Sequence, residues 1–381
     1  MAGRTTARLR AASTTAPPLA RGAQASRSAI PWSQVGPGWM LAIWGPAPIP
    51  APGEQPPAGS LTQDNETTTL FLVNPIGGRY VVTTFAPPAN RQVVDWSPDR
   101  RRALLEHFGT SPGVDQLDLT TGVVRAVSVE PSLARASYTR PAGRAVLVGR
   151  EVPATGGSLR PALVRLGLDG AQQQSYPMDF PTVGQYGGSD ISTPDGTQLV
   201  LGTSKGMAVL GNGGTIIREL TVGGANCSPV RWWSAGVVLA SCLSADSTYP
   251  RLWLVPLSGA APTTLTAPSA AAGDLGDIDA WRIPSGTFAQ SLGGCGSEYV
   301  SRVGADGATT RVEVPGVDPT KTIVVLGSHD DQLVLQASPA CGGGQSLLWF
   351  SPSADTTTVV LGPPLNGGAV LGGLLSPDPA A

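Results

Sequence analysis

The side chains of this chain that could do chemistry are few and scattered. There are two histidines, His107 and His329, whose imidazoles titrate near neutrality and could serve as acid or base. His107 closes an apolar run and His329 occupies a turn position, so each has a structural role before a catalytic one. Gly202-Thr203-Ser204-Lys205-Gly206 matches a G-x-S-x-G pattern. A nucleophile elbow must join a strand to a helix, however, and this segment joins two apolar runs of strand length. Asp274, Asp277 and Asp279 in GDLGDIDAW form the densest acidic cluster, either a set of hard oxygen ligands suited to Ca²⁺ or a solvated loop. No Cys-x-x-Cys spacing occurs, and no cofactor is expected.

What positions these groups is a recurrence. VVDWSPDRRRALLE from Val93 and SDISTPDGTQLVLG from Ser189 each read as strand, tight turn and apolar run. Looser copies are ASYTRPAGRAVLV, VRWWSAGVVLA, IDAWRIPSGTFAQ and VVLGSHDDQLVLQ, and VGPGWMLAIW from Val35 opens the series. The turn markers Gly38, Arg100, Gly143, Gly196, Gly236, Gly286 and Asp331 recur at about 49 residues, in the range of propellers and solenoids. A second turn follows each apolar run, as in QLDLTTGVVRAVSV and MAVLGNGGTIIREL, where Gly, Asn and Asp tolerate the positive φ of a tight hairpin. Two hairpins per period make four antiparallel strands. The expected fold is therefore all-β, a seven-bladed β-propeller of four-stranded antiparallel blades.

Composition agrees. The 49 glycines and 36 prolines punctuate the chain so densely that the longest stretch without either is Ser60 to Asn74, too short and too aperiodic to argue for a helix. The expected organisation is a basic tail or remnant leader over 1–29, one propeller over 30–362 and a C-terminal tail over 363–381. A Pro-rich insert, GPAPIPAPGEQPPAGS from Gly45, reads as an extended loop within the first blade.

The turn motifs Trp96-Ser97-Pro98-Asp99 and Ser192-Thr193-Pro194-Asp195-Gly196, each leading into an apolar strand, resemble the WD40-like (PD40) repeats of TolB-like propellers of actinobacterial type. The resemblance runs from about residue 30 to residue 362 and implies a propeller that works through protein partners in the cell envelope. TolB is similar to a six-bladed propeller with a small α/β domain, whereas seven repeats here leave no room for one. The Asp of each turn is expected to bond its own backbone.

Four cysteines carry a sharper expectation. In CSPVRWWSAGVVLASC a hairpin turning at Ser234-Ala235 sets Cys227 opposite Cys242, where a disulfide can close. Cys295 and Cys341 fall in equivalent loops after the second strands of neighbouring blades, where a bridge between blades is expected. Disulfides imply an oxidising compartment. Residues 1–29 hold five arginines and no acid but lack the apolar run of an export signal, so such a signal is expected upstream of Met1, the alternative being a cytoplasmic protein with free thiols. No apolar stretch is long enough to span a membrane.

Without the five tail arginines, 20 basic residues face 27 acidic ones, and an acidic body argues against nucleic acid. Two functions are carried forward. The first is a non-catalytic interaction scaffold of the envelope. The alternative is a carbohydrate-binding, lyase or hydrolase propeller with its site at the central channel, marked by several acidic or His residues converging there.

Overall fold

A computed structural model describes residues 18–47, 58–109, 112–128, 136–153, 159–176, 190–223, 225–243, 249–268, 273–338 and 346–376. It is a seven-bladed propeller, each blade an antiparallel sheet of four strands ordered from the axis outward. Blade 2 is typical, with Arg91–Trp96 innermost, then Arg102–His107, Gly113–Asp118 and Val124–Ser128. The innermost strands of blades 3 to 7 are Ser137–Tyr138, Asp190–Ser192, Ala225–Ser234, Asp277–Ile283 and Thr322–His329. Every innermost strand runs toward one face, the turn face, where the first turn of the blade lies. The loops joining second to third strands, and blade to blade, lie on the opposite loop face.

Blade 1 departs from the sequence reading. Its innermost strand is Ala369–Leu375, paired antiparallel with Met40–Gly45, so that Met40 faces Leu375 and Gly45 faces Ala369. Residues expected as a C-terminal tail thus supply the strand nearest the axis. The physical reason is closure: side-chain packing alone would leave the first and last blades free to part, whereas this pairing joins the two ends of the ring by backbone hydrogen bonds. The other end contributes as well. Gln24–Ser26, expected within the basic tail, adds a parallel fifth strand on the outer edge of blade 1 beside Arg79–Phe85. Arg27 secures it by donating from Nη1 to the Val82 carbonyl at 2.8 Å.

The core is seven separate apolar layers, one between each pair of neighbouring blades. Leu41, Leu70, Leu72 and Tyr80 of blade 1 pack on Trp96, Leu105 and Leu117 of blade 2, and Trp281, Phe288 and Val300 of blade 6 pack on Ile323, Val325 and Leu335 of blade 7. The second strands are buried on both faces, which is why they read as unbroken apolar runs rather than alternating ones. Leu104 and Leu105 show it, both fully buried but in different layers.

Most of the first-turn markers adopt positive φ. Arg100, Gly143, Gly196 and Gly236 have φ between 58° and 72°, and in blade 7 the positive φ falls one residue before the expected marker, on Asp330 at 52°. At Gly196 a Cβ would lie 1.8 Å from the Arg140 carbonyl oxygen, so the turns of blades 3 and 4 touch only because this position has no side chain. Asp195 accepts from the Thr193 hydroxyl at 2.6 Å and the Thr197 N–H at 3.0 Å, and Asp99 accepts from the Ser97 hydroxyl at 2.5 Å and the Arg101 N–H at 3.0 Å. Pro98 and Pro194 sit inside these turns.

Cys227 and Cys242 form the expected disulfide. The turn lies one residue later than expected, with Ser234 opposite Val237, and bulges at Trp232/Ser234 and Pro229/Arg231 shift the pairing back until Cys227 faces Cys242. Cys341 lies outside the described residues, and with it the expected bridge to Cys295; residues 48–57 of the Pro-rich insert lie outside them too.

Two outcomes test this architecture. Removing residues 369–375 should expose the amides of Met40–Gly45 to fast hydrogen exchange while blade 4 stays protected; continued protection of Met40–Gly45 would show that the ring closes some other way. Replacing Cys227 and Cys242 together by serine should lower the unfolding free energy by about 3 kcal/mol in urea titrations, the entropy of a loop of this length.

Candidate ligand-binding site at the central channel

The innermost strands end each sheet, so they surround the axis and decide what the channel presents. Blades 1 and 7 contribute apolar and small groups, among them Leu371, Gly372 and Leu374, and Val324 and Leu326, all partly exposed. Blades 2 to 6 contribute charge, blade 4 through Asp190. Two aspartate–arginine pairs bridge neighbouring blades there, each with its aspartate at a bulge.

In blade 2 a bulge between Val93 and Asp95 re-aims the strand. Asp95 then reaches blade 3, where it accepts from the Tyr138 N–H at 2.6 Å and from Arg140 Nη2 and Nη1 at 3.2 and 3.4 Å. In blade 6 a bulge lies between Asp277 and Asp279, and Asp279 reaches the other way, to the preceding blade. Asp279 Oδ1 accepts from Arg231 Nε of blade 5 at 2.7 Å, and Arg231 Nη2 closes the second arm of a bidentate pair on Oδ2. The Arg231 guanidinium lies 4.4 Å from the centre of the Trp281 ring, which fixes its plane. The four side chains are 15 to 33% exposed, so they are held by the fold yet still meet solvent. Trp232 of blade 5 donates its indole N–H to the Ser192 carbonyl of blade 4 at 2.9 Å, tying a third blade to the same rim.

The acidic cluster is divided between two arginines. Asp279 belongs to Arg231, while Asp274 and Asp277 share Arg251, whose Nη1 lies 3.5 and 3.4 Å from them. Asp277 is fully buried and also accepts from the Ser291 hydroxyl at 2.7 Å. Burial pushes its carboxyl above the usual range, and Ser291, Thr266 and Arg251 offset part of that. No group of three metal-ligating side chains occurs among the described residues.

The other candidates also resolve into structural parts. Ser204 and Lys205 are the tip of a two-residue hairpin in which Thr203 pairs with Gly206, so the G-x-S-x-G segment is a strand–strand turn. A Cβ on Gly202 would lie 2.2 Å from the Cys227 carbonyl oxygen and one on Gly206 2.1 Å from the Leu220 carbonyl oxygen, so close backbone approach explains both glycines. His107 Nε2 lies 3.6 Å from Asp115 at the loop-face end of blade 2, and His329 packs beside Trp349 at the turn face of blade 7. Glu298, at the loop-face end of the third strand of blade 6, is pushed by burial from 4.5 to about 7. These three groups occupy separate places and form no common site.

No signal that was singled out in the sequence pointed to Asp95, Arg140 or Arg231. One was present: each aspartate and its arginine stand 45 and 48 residues apart, close to one repeat, which places them side by side on adjacent blades.

No family model matches the sequence, and no curated protein sequence matches it. Solved structures do. An acylaminoacyl peptidase from Pyrococcus horikoshii superposes with a TM-score of 0.51 at 10% identity, over 84% of this chain and 50% of the peptidase. A prolyl endopeptidase superposes with a TM-score of 0.52 at 10% identity, over 85% of this chain and 50% of the enzyme. The chain thus spans about half the length of these peptidases. TolB from Acinetobacter baumannii is also similar, at a TM-score of 0.42 and 11% identity over 90% of this chain and 67% of that one. The expectation of a non-catalytic scaffold is overturned by these matches, because the propellers that superpose best among them belong to hydrolytic enzymes; the channel alternative fits better.

The pH response of Glu298 follows from its burial. A carboxyl with a raised value binds its proton more tightly folded than unfolded, so stability falls as pH rises from 4.5 to about 7. Glu298→Gln should therefore melt higher than the parent protein above that window and equally below it. Melting curves that stay parallel at every pH would refute the assignment.

Proposed function

We propose that this chain is a ligand-binding propeller of the hydrolase type, holding an extended peptide at the mouth of its central channel. The observation that carries this reading is the pair of partly exposed, inter-blade Asp–Arg contacts, Asp95 on the inner strand of blade 2 with Arg140 in the first turn of blade 3, and Asp279 with Arg231 on the inner strands of blades 6 and 5. Each guanidinium has more N–H donors than its aspartate accepts, and hydrogen bonds from a charged donor contribute about 1.5 to 3 kcal/mol. The apolar strands of blades 1 and 7 give a ligand's side chains a surface to bury.

Two further points favour a peptide over a glycan. Each innermost strand has one edge without a neighbouring strand, a row of N–H and C=O groups suited to pairing with an extended main chain. The structures that superpose at a TM-score above 0.5 are named as peptidases. Because the chain covers half of them, the bond-breaking groups are assigned to a further domain or partner, and the propeller to binding and selecting the substrate.

The Cys227–Cys242 disulfide supports an extracytoplasmic location, since such a bond persists in an oxidising compartment. TolB-like kinship of actinobacterial type and an envelope partner fit the same setting. No helix among the described residues is long and apolar enough to cross a membrane.

The test is fluorescence polarisation with a set of end-blocked labelled peptides, beside an acidic oligosaccharide. Arg231→Met should weaken peptide binding by roughly tenfold or more, from the lost charged donors, and Arg231→Lys should restore part of it. Oligosaccharide binding without peptide binding would remove the peptide assignment, and binding of neither would remove the channel site.

A further inference from the structure

Glu66 stands at the loop face of blade 1, just before the Thr68–Val73 strand, and is only 1% exposed. Its carboxyl covers Gly45, the last residue of the strand that receives the closing strand. Gly45 faces Ala369, and a Cβ on Gly45 would collide with both Glu66 oxygens. Oε2 accepts from the Ala47 N–H at 2.7 Å, while the buried Oε1 has no hydrogen-bond partner. This end of the pairing is packed without slack. A Cβ on Gly368 would collide with the Gly45 carbonyl and the Trp44 ring, and the Trp44 indole donates to the Gly367 carbonyl at 2.9 Å.

No cation among the described residues answers this carboxyl. Met40–Gly45, Thr68–Val73 and Ala369–Leu375 carry no charged residue, Asp64 in the segment of Glu66 itself is exposed, and Arg79 lies at the turn-face end of the fourth strand. Across the seam, blade 2 turns Arg91, His107 and Asp115 toward blade 1, on the face that carries Leu105. These groups are engaged elsewhere: Arg91 lies over the Phe85 ring at 4.9 Å, and His107 lies 3.6 Å from Asp115. Burial pushes the Glu66 carboxyl above the usual 4.5, and the Ala47 N–H offsets part of that. A carboxylate kept out of water with one hydrogen bond and no counter-charge is costly, so the closed seam favours the neutral acid.

We propose that Glu66 is a pH-sensitive latch on ring closure, which holds the loop-face end of the pairing between Met40–Gly45 and Ala369–Leu375 while it carries a proton and loosens that end when it ionises. The sign follows from linkage. With the seam open, Glu66 meets water and titrates near 4.5; with the seam closed, it keeps its proton to a higher pH. Opening therefore becomes easier as pH rises above 4.5, by up to about tenfold per pH unit for one proton, and levels off once the closed form ionises as well. The closing strand carries Leu371, Gly372 and Leu374 to the channel, so the latch sets how firmly that wall is held, whatever ligand the channel takes.

Hydrogen exchange of the full chain from about pH 4 to about pH 8, expressed as protection relative to an unstructured chain, tests this. Protection at the loop-face ends of Met40–Gly45 and Ala369–Leu375 should fall as pH rises, while Gln198–Thr203 of blade 4 stays level. Glu66→Gln keeps an acceptor for the Ala47 N–H but cannot ionise, so its protection should stay constant. Carbon-13 NMR of the Glu66 carboxyl in the parent chain supplies a readout that needs no variant: the group should titrate above 4.5. Protection in the parent that does not change with pH, an equal fall in Glu66→Gln, a fall shared by blade 4, or a carboxyl that titrates at or below 4.5 would each overturn the proposal.

Discussion

The pairing of Ala369–Leu375 with Met40–Gly45 is the constraint on which the rest of this structure depends. A propeller blade contacts only its two neighbours, so every blade's position is inherited around the ring. Seven apolar layers set the successive blade-to-blade contacts, but their sum returns to the starting point only if the last strand meets the first blade in register. Once it does, the inner strands are held about one axis and the channel acquires a defined lining. Gly373 shows how tightly this strand is seated, since a Cβ there would lie 2.9 Å from Leu326 of blade 7.

Within that frame, charge is placed at the seams rather than in the sheets. Asp95 and Asp279 sit at bulges on inner strands, and each meets an arginine of the adjacent blade. An unpaired carboxylate at these partly buried positions would be costly, and a guanidinium from the next blade answers it while fixing the seam. The Asp274–Arg251–Asp277 group does the same deeper in the seam between blades 5 and 6. The outcome is that Asp95 and Asp279 each meet an arginine across a seam of the channel rim.

The repeat made the blades legible, and individual residues show where legibility stopped. Arg100, Gly196 and Gly236 adopt the positive φ their place in the repeat demands, because a tight turn is a local demand on the backbone. Cys227 opposite Cys242 was legible as a pairing, yet the turn between them is displaced by one residue and two bulges restore the register. A bulge depends on what the strand must pack against and carries no local mark. The same limit hid the site: Asp279 read as part of one acidic cluster with Asp274 and Asp277 because adjacency in the chain is visible and adjacency between blades is not.

The sequence by itself determined the repeat, the number of blades, the first turns to within a residue and the Cys227–Cys242 disulfide, since all of these follow from local turn chemistry, strand periodicity and counting. Only the tertiary structure decided how the ring closes and which aspartate meets which arginine. Those facts depend on contacts between segments from one blade to the length of the chain apart. Local propensity carries no information over such distances, and the strands must first be stacked before Asp95 has Arg140, or Met40 has Leu375, as a neighbour.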